Sequence, residues 1–279
     1  SRQSSGRVRE CHGDLHLGNL VLLDDRLVPF DGIDFDPALR WIDVMSEAAF
    51  LMMDLADHGR GDLAWHFLNA YIDHTGDHEG LALLRFYMVY RAMVRSKVHA
   101  LRAQQPHVAP AERDSLLCAA HGYLALASRL AHAGQPILVL THGLSGSGKS
   151  AVAHAVAGHL NAVRLRSDVE RKRLAGLNAT QSSGSALHGG IYAAHRTQSL
   201  YARLADLARN SLAAGWPVVV DATFLKHSQR ECFRQVAAAL AVPCMLIALC
   251  AKPAELQARI ARRKALGKDA SEADHAVLA

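Results

Sequence analysis

A glycine-rich run of eight residues, GLSGSGKS, lies near the middle of the chain and ends in a lysine and a serine. It fits the pattern GxxxxGK followed by Ser or Thr, and its members are Gly143, Leu144, Ser145, Gly146, Ser147, Gly148, Lys149 and Ser150. Glycines let the backbone curl until its amides converge on phosphate oxygens, and a following helix adds its positive N-terminal end. The lysine can reach the β- and γ-phosphates, and the serine hydroxyl can bind Mg²⁺. The run therefore predicts a site for ATP or GTP with Mg²⁺.

Two aspartates follow short apolar runs later in the chain. Asp168 comes just after the run at 162–165, and Asp221 comes directly after the run at 218–220. If these runs are parallel strands, both carboxylates lie at the carboxyl edge of the sheet, where ligands bind. Asp168 can then accept the proton of an acceptor hydroxyl, cap a helix, or do both. Asp221 is in the position that holds the water shell of Mg²⁺, with a simple turn residue as the alternative.

Three arginines share a predicted helix near the end of the sequence: Arg259, Arg262 and Arg263. Arginines in this position can close over a transferred phosphate as a lid and neutralise its developing charge. The alternative is a solvated basic face. We take Arg259 and Arg263 as candidate catalytic residues.

The second half resembles the branch of P-loop kinases that contains zeta toxins, polynucleotide kinases and gluconate kinases. The resemblance covers 136–279 and is carried by the P-loop and by the stretches RSDVERKR, VVVDATF and GKDASEAD. It implies an ATP-dependent kinase in which Asp168 orients or deprotonates a hydroxyl of the acceptor. Related sequences continue with another helix and a final strand, so we expect this domain to be truncated at its C-terminus.

A second motif, CHGDLHLGN, occupies residues 11–19. An Asp followed five residues later by Asn, here Asp14 and Asn19, is typical of the catalytic loop of protein-kinase-like enzymes. The motif resembles that of aminoglycoside and choline-type phosphotransferases. The resemblance implies that Asp14 takes the hydroxyl proton, that Asn19 binds Mg²⁺, and that a further Asp binds metal. Asp31 and Asp34 are both candidates: the spacing to the RWID motif that begins at Arg40 favours Asp31, and the local IDF pattern favours Asp34.

The same motif has two other interpretations. One is a metal site made of Cys11, His12 and His16, which lacks ligand spacing of the CxxC kind, and the other is a structural loop. Only ten residues precede Cys11, so the upstream lobe that such a kinase needs to clamp its nucleotide is missing from this sequence. We therefore expect residues 1–133 to be inactive alone, and phosphotransfer by that piece would refute this expectation. The order of the two halves resembles bacterial fusions called bifunctional aminoglycoside phosphotransferase/ATP-binding proteins.

The hydrophobic patterns divide the chain into two parts that must position these residues. Helical spacing at 42–57, 61–74, 80–104 and 111–132 follows a predicted hairpin at 20–30 that turns at Asp24 and Asp25. Beyond 133–136, short β-branched runs alternate with helical segments, which predicts a mainly parallel sheet. We expect an α/β protein: a partial protein-kinase-like helical C-lobe over 1–133, then a P-loop sheet with helices on both faces over 134–279.

The amino-acid composition limits the classes of partner that we expect for this protein. The net charge of +5 includes no long basic block, and only 6% of residues are aromatic, which disfavours nucleic acid. No apolar run reaches 18 residues, and five scattered cysteines form no CxxC, so we expect a reduced cytoplasmic protein without membrane contact. We expect a small-molecule hydroxyl acceptor, while the oligomeric state is not determined by the sequence. The alternatives are a nucleotide-dependent regulatory module and a nucleic-acid 5′-hydroxyl kinase.

Overall fold

The computed structural model describes residues 1–132, 134–179, 181–184 and 190–266. The chain divides into two compact units. The first comprises Ser1–Leu68 and Glu79–Ala133, and the second comprises Asn69–His78 and Gly134–Ala279. The last change of unit falls at the predicted boundary, but the second unit also includes a short segment from the first half of the sequence.

The first unit contains two small antiparallel pairs. Strand β1 (Val8–Glu10) pairs with β4 (Trp41–Asp43), and β2 (Leu20–Leu23) pairs with β3 (Arg26–Pro29). Asp24 and Asp25 join β2 to β3 with φ angles of 47° and 59°, the left-handed pair that a tight hairpin turn requires. The predicted hairpin is therefore confirmed.

Helices form the rest of this unit. They are α1 (Pro37–Arg40), α2 (Val44–Asp57), α3 (Gly61–Thr75), α4 (Leu81–Ala103) and α5 (Pro110–Ala131), and α3 passes into the second unit at Asn69. The Asp43 carboxylate accepts the amide of Met45 at 2.9 Å and so caps α2. The helix predicted from residue 42 was wrong at its start, because Ile42 and Asp43 belong to β4 and the cap.

The second unit is built on a four-stranded sheet. The strands are β5 (Leu138–His142), β6 (Val163–Arg166), β7 (Val218–Asp221) and β8 (Cys244–Ala248). They are all parallel and lie in the order β6-β7-β5-β8. Its helices from residue 134 onward are α6 (Lys149–Leu160), α7 (Ser167–Leu174), α8 (Ala194–Ala213), α9 (His227–Ala239) and α10 (Pro253–Leu266). The predicted α/β fold with a parallel sheet is confirmed.

Helices flank the sheet. Ala153 and Ala157 of α6 pack against Val139 and Val219, while α8 contacts β6 and β7. Successive side chains of a strand point to opposite faces, so the other two valines of β7 face away from α6. All three are fully buried, as expected of a strand covered on both sides. Parallel strands bring all their carboxyl ends to one edge, and the candidate site lies there.

No helix in the described part of the chain is both long enough and apolar enough to cross a membrane.

Candidate active site

The glycine-rich loop joins β5 to α6 at the carboxyl edge of the sheet. Gly143, Gly146 and Gly148 have φ angles of 146°, 83° and 94°, a region in which residues with a side chain are strained. A Cβ on Gly146 would lie 2.9 Å from the carbonyl oxygen of Leu256. Glycine at this position therefore permits both the turn and the close approach of α10.

Two buried side chains of the loop fit an anion. The Lys149 Nζ donates to the carbonyl oxygen of Leu144 at 2.7 Å, which folds the ammonium group back over the loop. The Ser147 hydroxyl is 6% exposed and has no hydrogen-bond partner within the described residues. A buried hydroxyl without a partner is costly, and a phosphate oxygen at the loop would satisfy it.

The end of β7 brings Asp221 to the start of α6. The Ser150 hydroxyl hydrogen-bonds the Asp221 carboxylate. Burial raises the pKa of Asp221, this hydrogen bond opposes the rise, and the charge of Asp168 adds to it. Mg²⁺ prefers oxygen ligands, so the adjoining hydroxyl and carboxylate fit the metal role predicted for Ser150 and Asp221.

Asp168 lies in the first turn of α7, just beyond the end of β6. Arg166 is the N-cap residue of α7 and makes no capping hydrogen bond with its side chain, so Asp168 is the second residue of the helix rather than its cap. Its charge raises the pKa of Asp221 and Tyr201, in both cases after a larger effect of burial. Arg166 and Asp221 are partners in the register of β6 and β7, so Asp168 follows β6 at the same edge of the sheet at which Asp221 ends β7.

A hydrogen-bond network fixes the strand ends around these carboxylates. The Thr141 hydroxyl donates to the carbonyl oxygen of Ala222 at 3.0 Å, and the Ala222 amide lies 3.2 Å from the same hydroxyl. The Tyr201 hydroxyl contacts that of Thr223 at 3.3 Å and accepts the amide of Phe224 at 3.2 Å. Sequence reasoning missed Thr141 and Tyr201, because neither belongs to a motif of fixed spacing.

The late arginines lie on α10 as predicted. Arg259 is exposed, and its guanidinium is 3.5 Å from the carbonyl oxygen of Gly146 and 3.4 Å from the Glu255 carboxylate. Arg262 is exposed. The side chain of Arg263 lies outside the described residues, as does the whole GKDASEAD stretch. Of the two arginines whose side chains are described, Arg259 and Arg262, Arg259 is the one with a contact to the P-loop.

In the first unit, the residues of the CHGDLHLGN motif form a tight loop. The Asn19 amide donates to the carbonyl oxygen of Asp14 at 3.0 Å and to its carboxylate at 3.2 Å. The Nδ1 of His16 accepts the amide of Gly18, and its Nε2 lies 3.4 Å from the Asp14 carboxylate. This contact with His16 is the main cause that lowers the pKa of Asp14.

Gly13, next to Asp14, is fixed at both ends of its backbone. Its φ is 84°, its amide donates to the Glu47 carboxylate at 2.9 Å, and its carbonyl oxygen accepts from Arg91 at 3.0 Å. Burial raises the pKa of Glu47. These partners come from α2 and α4, so the helices of this unit set the conformation of the loop.

The segment that carries Asp31 and Asp34 runs beside the same loop. The amide of Ile33, between them, donates to the carbonyl oxygen of His12 at 2.9 Å, and both aspartates are exposed. The choice between them as a metal ligand stays a prediction. Within the described ranges, no three His, Cys, Asp or Glu residues cluster as metal ligands, which argues against the Cys11, His12 and His16 site.

A family of known domains matches the second half of the chain, and curated relatives match most of its length. Residues 138–279 match the family described as AAA domain. The chain is 33% identical over 242 residues to uncharacterized proteins of Mycobacterium tuberculosis (strain H37Rv) and Mycobacterium bovis; the matched region covers 84% of this chain. It covers 47% of each relative, so the chain spans about half the length of the curated relatives it matches. A crystal structure of a gluconokinase from Sinorhizobium meliloti 1021 aligns at 24% identity and a TM-score of 0.32, over 47% of this chain and 66% of that one.

Proposed function

The chain belongs, through residues 138–279, to the AAA domain family, and on that premise we propose that it is an ATP-dependent kinase. It transfers the γ-phosphate of ATP to a hydroxyl of a small molecule. The observation that carries the proposal is the sheet register: Arg166, two residues before Asp168, is the strand partner of Asp221, which itself contacts Ser150 of the P-loop. A nucleotide-binding module needs the loop and Asp221, but only a transferase needs a second carboxylate placed to accept a proton.

Each residue of the site has a separate role in the proposed transfer. The loop amides and Lys149 hold the phosphates, for which Lys149 must leave the carbonyl oxygen of Leu144. Ser150 and Asp221 hold Mg²⁺, and this ion, when bound, neutralises negative charge on the β- and γ-phosphates. Asp168 accepts the proton of the acceptor hydroxyl at its carboxylate oxygen. Arg259, already at the loop, neutralises charge on the transferred group.

The test is a screen for transfer of labelled γ-phosphate to sugars, aminoglycosides, nucleosides and 5′-hydroxyl oligonucleotides. We expect a phosphorylated small molecule as product. In Asp168→Asn the rate of transfer falls about 10²- to 10⁴-fold, since the general base is lost, while the Kd for ATP is unchanged. Asp206→Asn, which removes an exposed carboxylate of α8, is the matched control and keeps full activity.

Three outcomes contradict the proposal in different ways. ATP hydrolysis without any acceptor product favours the nucleotide-dependent regulatory module. Product from oligonucleotides alone favours the nucleic-acid 5′-hydroxyl kinase. Unchanged transfer by Asp168→Asn removes that residue from the mechanism.

For the first half, we propose a partial lobe of an aminoglycoside-phosphotransferase-like domain over residues 1–133, followed by the kinase domain over 134–279. The contact between the Asn19 amide and the Asp14 carboxylate supports this, because it joins the predicted metal ligand to the predicted base. Asp14→Asn in the same screen separates the halves. Transfer that survives Asp14→Asn but not Asp168→Asn belongs to the second unit.

A further inference from the structure

A short segment from the first half of the sequence is part of the second unit and lies along its sheet. We call residues 69–78 the anchor segment. The side-chain amide of Asn69 donates to the carbonyl oxygen of Ala162 at 3.0 Å, and its oxygen accepts the amide of Arg164 at 2.7 Å. Strand β6 is at the edge of the sheet, so Asn69 pairs with its free backbone groups as a neighbouring strand would.

The anchor segment also holds the helix that follows β6. Arg173 of α7 donates to the carbonyl oxygens of Ile72 and Asp73 at 3.0 Å and 2.7 Å. The buried His78 lies 3.0 Å from the Glu170 carboxylate of the same helix. Since Asp168 comes between the two attachments, on β6 and on α7, the segment fixes the stretch that carries the proposed base.

Asp73 holds both arginines of β6. Its carboxylate is 3.3 Å from the Arg164 guanidinium and 3.4 Å from that of Arg166. The three side chains are only 13 to 21% exposed, so these ion pairs are partly shielded from water. Pairs in such surroundings interact more strongly than pairs on an open surface.

Arg166 is also the neighbour of Asp221. The two residues end adjacent parallel strands and are partners in the register of the sheet. A guanidinium matches a carboxylate with two parallel hydrogen bonds, so an arginine released at this edge would occupy the oxygens of Asp221. In the proposed function, the same oxygens bind Mg²⁺ or its water shell.

We propose that Asp73 is a positioning residue of the nucleotide site: its ion pair with Arg166 keeps that guanidinium from taking the oxygens of Asp221 and so leaves this carboxylate to Mg²⁺. The proposal rests on the proposed function for the metal role of Asp221. It assigns a role in the P-loop site to a residue that precedes the loop by 70 positions or more.

The test measures ATP binding by calorimetry over a series of Mg²⁺ concentrations, with the full chain. In Asp73→Asn, the Mg²⁺ concentration for half-maximal binding rises about tenfold or more, the effect typical of losing a residue that orients a metal ligand. ATP affinity in the presence of EDTA stays the same. Asp62→Asn is the matched control, because it removes an exposed carboxylate of the same helix, one that pairs with the nearby Arg60.

A second variant separates positioning from mere support of the fold. Asp73→Asn combined with Arg166→Gln removes the released cation and restores the Mg²⁺ requirement to near that of the unsubstituted protein, and Asp73→Glu keeps it. A purely structural role predicts that the double variant is worse than either single one. An unchanged Mg²⁺ requirement in Asp73→Asn, or no restoration in the double variant, overturns the proposal.

The experiment measures ATP binding, so its result does not depend on which compound accepts the phosphate. A shift in Mg²⁺ requirement without any transfer product supports the role of Asp73 and contradicts only the kinase reaction. If the unsubstituted protein binds ATP equally with and without Mg²⁺, both the metal role of Asp221 and the role of Asp73 are wrong.

Discussion

Gly146 shows how strictly one residue of the loop is constrained. Its φ of 83° and the 2.9 Å from its missing Cβ to the carbonyl oxygen of Leu256 act against any side chain. We expect Gly146→Ala to lower the free energy of unfolding by about 1–3 kcal/mol, the usual cost of such backbone strain, and to weaken ATP binding.

Gly158 is the matched control for that substitution. It lies in α6, in a helical conformation, and a Cβ there meets no atom within 4 Å. Gly158→Ala should therefore stabilise the protein by about 0.4–1 kcal/mol and leave ATP binding unchanged. Thermal unfolding and ATP titrations check both variants. Equal stability of the two would show that the loop relaxes around the added methyl group.

Individual site residues can be predicted from the sequence only where they belong to a motif of fixed spacing. The P-loop and the two aspartates at strand ends follow local patterns, and the structure brings them together. The pair Asp73–Arg166 joins residues 93 positions apart, and no local pattern connects them. Ser147 fits the motif at a position where any residue is allowed, so its buried, unpaired hydroxyl is visible only in the structure.

Among the elements, the junction of β5 and β7 depends on one threonine. Thr141 is fully buried, and its hydroxyl contacts both the amide and the carbonyl oxygen of Ala222, just beyond Asp221. Thr141→Val keeps the shape but leaves these backbone groups unpaired, at a cost of about 1–3 kcal/mol. We expect the Ala222 amide to lose protection in hydrogen–deuterium exchange.

Thr141→Ser is the control for this prediction, since it retains the hydroxyl and loses only a methyl group. Protection at Ala222 should stay close to that of the unsubstituted chain. If Val and Ser behave alike, the hydroxyl does not hold the strand ends together.

The order of elements was predictable because long periodic segments and β-branched runs are strong local signals. Strand β4 could not be predicted in this way, because it has three residues and forms by pairing with β1, over 30 positions earlier in the sequence. Its central residue, Ile42, fits the helical period of α2, which is why the helix was predicted to begin there. Pairing between distant short segments is a tertiary effect, which propensity does not contain.

For the whole molecule, the discontinuity of the second unit leads to a test. A piece that begins at residue 134 lacks the anchor segment, so the backbone of β6 loses the hydrogen bonds that Asn69 makes. We expect amides of Val163–Arg166 to exchange faster in this piece than in the full chain. Strand β8, at the other edge of the sheet, is the internal control and should exchange at the same rate in both.

Equal exchange of β6 in the two proteins would mean that the anchor segment adds nothing to the edge strand. The sequence predicts a boundary at 133–136 and contains no sign that residues 69–78 are part of the second unit. The apolar spacing of α3 continues without a break through Leu68 and Ile72, so nothing local marks the passage from one unit to the next.

The anchor segment also sets an order of events when the chain is made on a ribosome. Asp73 is synthesised 91 positions before Arg164. At a rate of synthesis of about 5–20 residues per second, Arg164 is added roughly 5–20 s after Asp73. Closing so long a loop is entropically slow compared with forming the helices around it. The contacts of the anchor segment with β6 and α7 therefore close after the helices on either side of that segment have formed.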